Sequence, residues 1–215
     1  MLSQSEPDIL ANDLIPEDFR FEEDGHKYFL GDIELPGFTF LVRKFGLVPE
    51  EAFYSEYGKN RGRAVHQAIH FMNEGVLDNS SVDVRLAGYL NAWKKFCRDF
   101  DFKPLIFERP LMSANYMFAC TLDAFGSGKD GLTLVEIKTG DPHWTVRLQM
   151  AAQWRCLIDS FPGLLGHGIG RIPLKLNQSG TYSIPKKSET WNVFIDEADF
   201  LALVKTHWLQ VSSKK

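Results

Sequence analysis

Cysteine is scarce: Cys97, Cys120 and Cys156 are the only three in 215 residues, and no two of them have CxxC spacing. That argues against a disulfide framework and offers no cage for a structural zinc or an iron–sulfur cluster. Positive charge is not in excess either. Lys and Arg number 24 against 28 Asp and Glu, a formal net charge of −4 with a pI near 5.9, so any contact with nucleic acid must come from local clusters. No run reaches the roughly 18 apolar residues that a spanning helix needs, and the opening MLSQSEPDILANDLIPEDF lacks the basic start and apolar core of a signal peptide. The expectation is a reduced, cytoplasmic protein without a membrane partner. There is no internal repeat, low-complexity tract or Gly-rich phosphate loop.

What is present suits a globular enzyme or binding domain, with 44% hydrophobic and 13% aromatic residues in a length that can bury one sizeable core. Residues 1–17 are polar and acidic and read as a lead-in, and 18–211 as a single domain. Within it, 18–45 is a small N-terminal β element, 49–100 a helical part, 104–158 a core and 168–210 a closing hairpin and helix. Phe19 to Phe29 alternates around Asp24-Gly25, a hairpin signal, and Ile33 to Val42 is read as continuing that sheet past Pro36-Gly37. Pro49 to Gly58 predicts a short helix, and Arg61 to Asn73 a longer one with Val65, Ile69 and Met72 as its stripe. Ser80-Ser81-Val82-Asp83 resembles a capping box for a helix to Phe100, with Leu86, Leu90, Trp93 and Cys97 inward. Leu105 to Met112 reads as the first central strand. Asp141 and Pro142 are the expected N-cap and first residue of a helix to Ile158 whose packing face is ambiguous. Gly168 to Leu176 and Thr181 to Ile184 predict a second hairpin, Trp191 to Ile195 an edge strand, and Asp196 to Gln210 a terminal amphipathic helix.

The chemistry concentrates in Thr121 to Thr139, TLDAFGSGKDGLTLVEIKT. Two half-apolar runs, Phe118 to Phe125 and Leu132 to Lys138, flank a turn at Gly126 to Gly131 and predict a hairpin. Alternation puts Glu136 and Lys138 on one face, with Cα atoms roughly 6.5–7 Å apart, and Val135 and Ile137 on the other. Symmetric closure brings Asp123 near Glu136, where the two carboxylates can share a cation. A surface hairpin with a wet charged face is the competing reading. It sits poorly with acids placed inside β-prone runs, since adjacent carboxylates repel without a cation or a proton. Glu108, mid-strand among apolar neighbours, either faces the same site or takes an exposed edge position. Gln149 and Gln153 share a helix face one turn apart, and Gln149 is placed to orient a lysine, water or phosphate, or is simply exposed. His66 and His70 are also one turn apart, but without an HExxH pattern or a third soft ligand they do not read as zinc ligands.

Clustered carboxylates bind hard divalent cations, Mg²⁺ or Mn²⁺. Such ions suit phosphodiester hydrolysis, and a lysine two residues beyond a ligand can orient water or hold developing charge. Asp123 followed by Glu136-Ile137-Lys138 resembles the D…(D/E)xK pattern of the PD-(D/E)XK nuclease superfamily, and the fuller set resembles its RecB-like, phage-type exonuclease branch. That set adds Gly62-Arg63-Ala64-Val65-His66, Glu108 and the Gln149 helix, so the likeness spans His66 to Gln153. Leu122 stands where the superfamily name has proline, and Gln153 where a tyrosine is common.

The resemblance implies an α/β (α+β) fold with a central mixed sheet flanked by helices, a restriction-endonuclease-like core. It implies His66, Asp123 and Glu136 as metal ligands helped by the Ile137 carbonyl, Lys138 as catalytic, and Glu108 and Gln149 as part of the site. The expected function is a divalent-metal-dependent DNA exonuclease acting in recombination, repair or phage DNA processing. Its partner would be DNA, with any helicase or recombination motor a separate protein. The alternatives are a non-catalytic nucleic-acid-binding domain that keeps the fold, and a restriction-type endonuclease.

Overall fold

The computed structural model describes residues 10–11, 13–48, 56–186, 188 and 191–213. A small antiparallel sheet, β1 (Phe19–Glu22), β2 (Lys27–Leu30) and β3 (Ile33–Leu35), precedes a short helix, α1 (Phe38–Lys44). Helices α2 (Glu56–Asn73) and α3 (Val84–Asp99) lead into strands β4 (Lys103–Ser113), β5 (Phe118–Gly128) and β6 (Gly131–Lys138). Then come α4 (Val146–Ser160), β7 (Ile169–Leu176), β8 (Tyr182–Ser183) and α5 (Val193–Ser212). The second sheet runs β4-β5-β6-β7-β8, with β6 and β7 parallel and every other pair antiparallel. The expected α/β fold, a mixed central sheet flanked by helices with a separate N-terminal β element, is therefore what the chain adopts.

Helices cover both faces of the five-stranded sheet. On one side Leu122, Phe125 and Leu134 pack with Leu41 of α1, Leu148 and Leu157 of α4, and Phe200 of α5. On the other, Ala124, Val135 and Ile137 pack with Val65 and Ile69 of α2 and with Leu90, Trp93 and Phe96 of α3. The alternation read for β6 is thus real, with Val135 and Ile137 turned to α2 and α3. The ambiguity of α4 also has a cause: Val146, Leu148, Met150, Ala151, Ala152, Gln153, Cys156, Leu157 and Ile158 are all buried, the signature of a helix enclosed on nearly every side. Gly88 lets α3 lie against the β7–β8 connection, where a Cβ would sit 1.8 Å from the Gln178 carbonyl oxygen.

Several elements differ from the sequence reading. The third strand ends at Leu35, and the expected continuation to Val42 is helix α1, which starts after Gly37 and buries Leu41 and Val42. The separate helix expected at Pro49 to Gly58 lies outside the described residues through position 55, and from Glu56 the chain is one continuous helix through Gly62. The turn expected at Gly126 to Gly131 shrinks to Lys129-Asp130, because β5 and β6 stay paired out to Gly128 and Gly131. Gly126 serves close approach instead, since a Cβ there would lie 2.1 Å from the Lys103 carbonyl oxygen. Asp83, not Ser80, caps α3, accepting the Arg85 N–H.

The helix after β6 begins at Val146 rather than Pro142, and Asp141 is used in an ion pair with Lys175 at 2.5 Å. The edge strand expected at Trp191 to Ile195 is the start of α5. Asn192 accepts the N–H groups of Phe194 and Ile195 and so fixes helical geometry in a β-prone stretch.

Candidate metal centre

The site forms where β5 and β6 part. Their ladder ends at the pair Ala124–Val135, and β5 runs on paired with β4. The next backbone donor on β6, the Ile137 N–H, is taken by the Asp123 side chain, whose Oδ2 accepts it at 2.7 Å. One carboxylate oxygen thus does the work of a missing strand partner. The other, Oδ1, stands 3.9 Å from His66 Nδ1 on α2.

Across from Asp123 on β4, Glu108 holds a backbone φ of +43°, a region few side chains other than glycine occupy and one that recurs at functional sites. Its Oε1 lies 2.6 Å from His66 Nδ1. His66, Glu108 and Asp123 each place a ligand atom within 4.8 Å of the others. His66 Nε2 is also 3.2 Å from the Ile137 carbonyl oxygen. With acceptors at both ring nitrogens, the imidazole is arranged as a doubly protonated cation. Burial works to lower its pKa, but the Asp123, Glu108 and Glu136 carboxylates outweigh it and raise it to about 9. Burial, and then the Glu108 charge, raise the pKa of Asp123 against the opposing pull of His66.

Glu136 faces the α4 side. Its Oε2 accepts from Gln153 Nε2 at 2.6 Å, and its Oε1 accepts from Lys138 Nζ. Burial, followed by the Asp123 charge, pushes its pKa up to about 7 even though Lys138 and Gln153 favour the carboxylate. Lys138 Nζ also donates to Gln149 Oε1 at 3.2 Å. Gln153 Nε2 gives a second bond, 3.1 Å, to the Thr121 carbonyl.

The residues expected from sequence therefore fall into two linked groups. His66, Glu108 and Asp123 meet beneath α2 with the Ile137 carbonyl. Glu136, Lys138 and Gln149 meet beneath α4. The Asp123 charge acts on Glu136 across the two groups, although the strands' own pairing stops at Ala124 and Val135. Glu108 is the carboxylate that stands with Asp123 at the histidine.

Gln153 earned no role in the sequence, yet it is fully buried and holds Glu136 in place. Its spacing from Gln149 was the available signal. Arg61 was missed as well: its Nη2 donates to the Thr139 carbonyl at 3.1 Å, tying α2 to the chain just past Lys138. His70 stays apart, its ring stacked on Phe107 at 6.0 Å.

The donor set is hard: one imidazole, two or three carboxylates, a backbone carbonyl and no thiolate. Such a group could hold a metal ion, and the convergence of oxygen acceptors on the imidazole marks a place where positive charge is stabilised. No protein-family model matches the chain, and no curated protein matches it significantly.

Proposed function

We propose that the protein is a divalent-metal-dependent deoxyribonuclease that hydrolyses phosphodiester bonds, acting as an exonuclease on linear DNA. The observation that carries this reading is the Lys138 ammonium, bound by Glu136 and Gln149 beside the His66, Glu108 and Asp123 group. Asp123, Glu108 and His66, with Glu136 and the Ile137 carbonyl, would hold Mg²⁺ or Mn²⁺, which supplies charge neutralisation at the phosphate and acidifies water.

The chain's own contribution is positioning. Glu136 and Gln149 fix the Lys138 Nζ, whose side chain is still 25% exposed, so that it can donate to a phosphate oxygen as charge develops or orient the attacking water. Gln153 in turn fixes Glu136. A lysine bridged to a buried carboxylate inside a cluster of acids has an evident use in phosphoryl chemistry. It would be costly as mere structure, because desolvating that many charges is unfavourable.

The test is purified protein on circular and linear, single- and double-stranded DNA with Mg²⁺, Mn²⁺ or EDTA. Metal-dependent loss of linear DNA is expected. Retention on DNA without cleavage under either metal would instead favour a binding domain, and cleavage of circles would favour an endonuclease.

A further inference from the structure

A cavity of about 480 Å³ opens between the three-stranded sheet, α1 and the α4 side of the five-stranded sheet. It shares two residues with the network just described. Gln149 lines it and accepts from Lys138, while Thr121 lines it and, through its carbonyl, accepts from Gln153. Anything seated there lies next to the groups that position Lys138 and Glu136.

The walls are aromatic. His26 and Tyr28 meet edge to face at 5.3 Å, and Phe40 meets His207 the same way at 5.4 Å. Tyr28 is itself buried, and its hydroxyl is fixed between His26 Nε2 at 2.8 Å and Thr121 Oγ1 at 2.9 Å. Gly37 completes the wall against the Tyr28 ring, which a Cβ would approach to 3.1 Å. Phe40, by contrast, is 51% exposed. A large apolar ring left half in water beside a polar site wants a flat partner.

The charge around the cavity is positive. Lys27 lines it, Lys44 Nζ sits 3.0 Å from His207 Nδ1, and the Arg63 charge reaches His26. The acid on the lining, Glu34, is matched by Lys27 at 3.8 Å. The volume is that of a site for one small flat ligand, and the positive surround suits a phosphate attached to it.

We propose that this cavity receives one unpaired nucleobase of the strand held at the metal centre, with Phe40 as its stacking platform, so that cleavage requires a single-stranded end. The inference rests on the nuclease reading above. A base still paired in a duplex cannot enter such a pocket without first leaving its stack, whereas an aromatic platform accepts any base because every base has a π face.

The experiment separates the two ideas. A single-stranded oligodeoxynucleotide carrying a terminal 2-aminopurine is titrated with protein in EDTA, where binding proceeds without cleavage, and a blunt duplex of the same sequence serves as competitor. Wild type is expected to quench the probe. Phe40→Ala is expected to bind roughly ten- to a hundredfold more weakly, as loss of one base–aromatic stack implies, with an unchanged melting temperature. Phe40→Trp is expected to restore binding, and the blunt duplex to compete poorly.

Absent quenching in wild type, equal binding by Phe40→Ala, or equal competition by the duplex overturns the proposal. Cleavage of the same oligonucleotide with Mn²⁺ is scored separately. Cleavage by wild type without any Phe40 dependence removes the pocket and leaves the nuclease. Phe40-dependent quenching without cleavage leaves a base-binding pocket and removes the nuclease.

Discussion

Asp123 Oδ2 accepts the Ile137 backbone N–H at 2.7 Å, so a single side chain both closes a gap in the sheet and presents its second oxygen to His66. Replacing this residue therefore tests structure and chemistry at once, and two substitutions pull them apart. Asp123→Asn keeps an oxygen acceptor for the Ile137 N–H and removes the charge. Its melting temperature is expected to match wild type in EDTA or rise, while metal-dependent cleavage disappears. Asp123→Ala leaves a buried donor unpaired, at a cost of about 1–3 kcal/mol, and is expected to melt lower as well as being inactive. Full activity in Asp123→Asn would remove the carboxylate from the metal centre.

Lys138 gives the sharpest separation of binding from turnover. Lys138→Ala takes away a positive charge that competes with a cation, so calorimetric Mn²⁺ affinity is expected to stay near normal or improve. Single-turnover cleavage is expected to fall by about 10²–10³, the usual scale for losing one donor to a developing oxyanion. Lys138→Arg should recover little, since the guanidinium is bulkier and keeps its proton. Unchanged cleavage in Lys138→Ala would reduce the lysine to a partner of Glu136 and Gln149.

If the proposed site binds a metal ion, protons compete with it for the same groups. In the metal-free protein His66 is raised from 6.5 to about 9 and Glu136 from 4.5 to about 7. A group whose pKa is higher when folded stabilises fully below its unfolded pKa and loses that contribution as pH rises through the folded value. Both groups therefore act in the same direction. Stability in EDTA is expected to decline from near pH 4.5 through about 7 for Glu136, and from near 6.5 through about 9 for His66. Added Mn²⁺ should oppose the decline, because a ligand nitrogen must shed its proton to coordinate. Mn²⁺ affinity should thus climb by about one log unit per pH unit between 6.5 and 9 from His66 alone. His66→Ala is expected to flatten that slope, and His70→Ala, whose ring packs on Phe107, to leave it intact. Equal slopes in the two variants would return His66 to a purely structural role.

Glu108 carries a backbone conformation that glycine adopts more readily. Glu108→Gly and Glu108→Ala lose the same carboxylate, so their difference isolates strain. The glycine variant is expected to be more stable by about 1 kcal/mol, a melting shift of about 2–4 °C for a chain of this size, with Mn²⁺ affinity weakened alike in both. Identical melting temperatures would mean that φ of +43° carries no cost here.

The parts of this fold legible from sequence were those governed by period. Alternation in Leu132 to Lys138 located β6 and its charged face, and the i, i+4, i+7 pattern at Val65, Ile69 and Met72 located α2. What escaped was decided by contacts remote in sequence. Gly126 looks like a turn residue until Lys103 is brought against it. Asp141-Pro142 looks like a helix start until Lys175 claims the aspartate. Trp191 to Ile195 is β-prone, but one asparagine with two backbone partners overrides propensity. At the site the residue types were readable, and His66, Glu108 and Asp123 meet as expected; that Gln153 holds Glu136 was not readable, because it depends on how α4 lies across the sheet.

The backbone turn at Glu108 has a second effect, on how the molecule meets copies of itself. β4 ends one side of the five-stranded sheet and is 11 residues long, long enough to template an incoming strand from another chain. Pro104 and Pro110 offer no N–H to such a strand, and the left-handed residue between them breaks the flat run of donors and acceptors. At the opposite side β8 is only two residues long. The conformation that brings a carboxylate to His66 also makes the longer margin of the sheet a poor seed for aggregation.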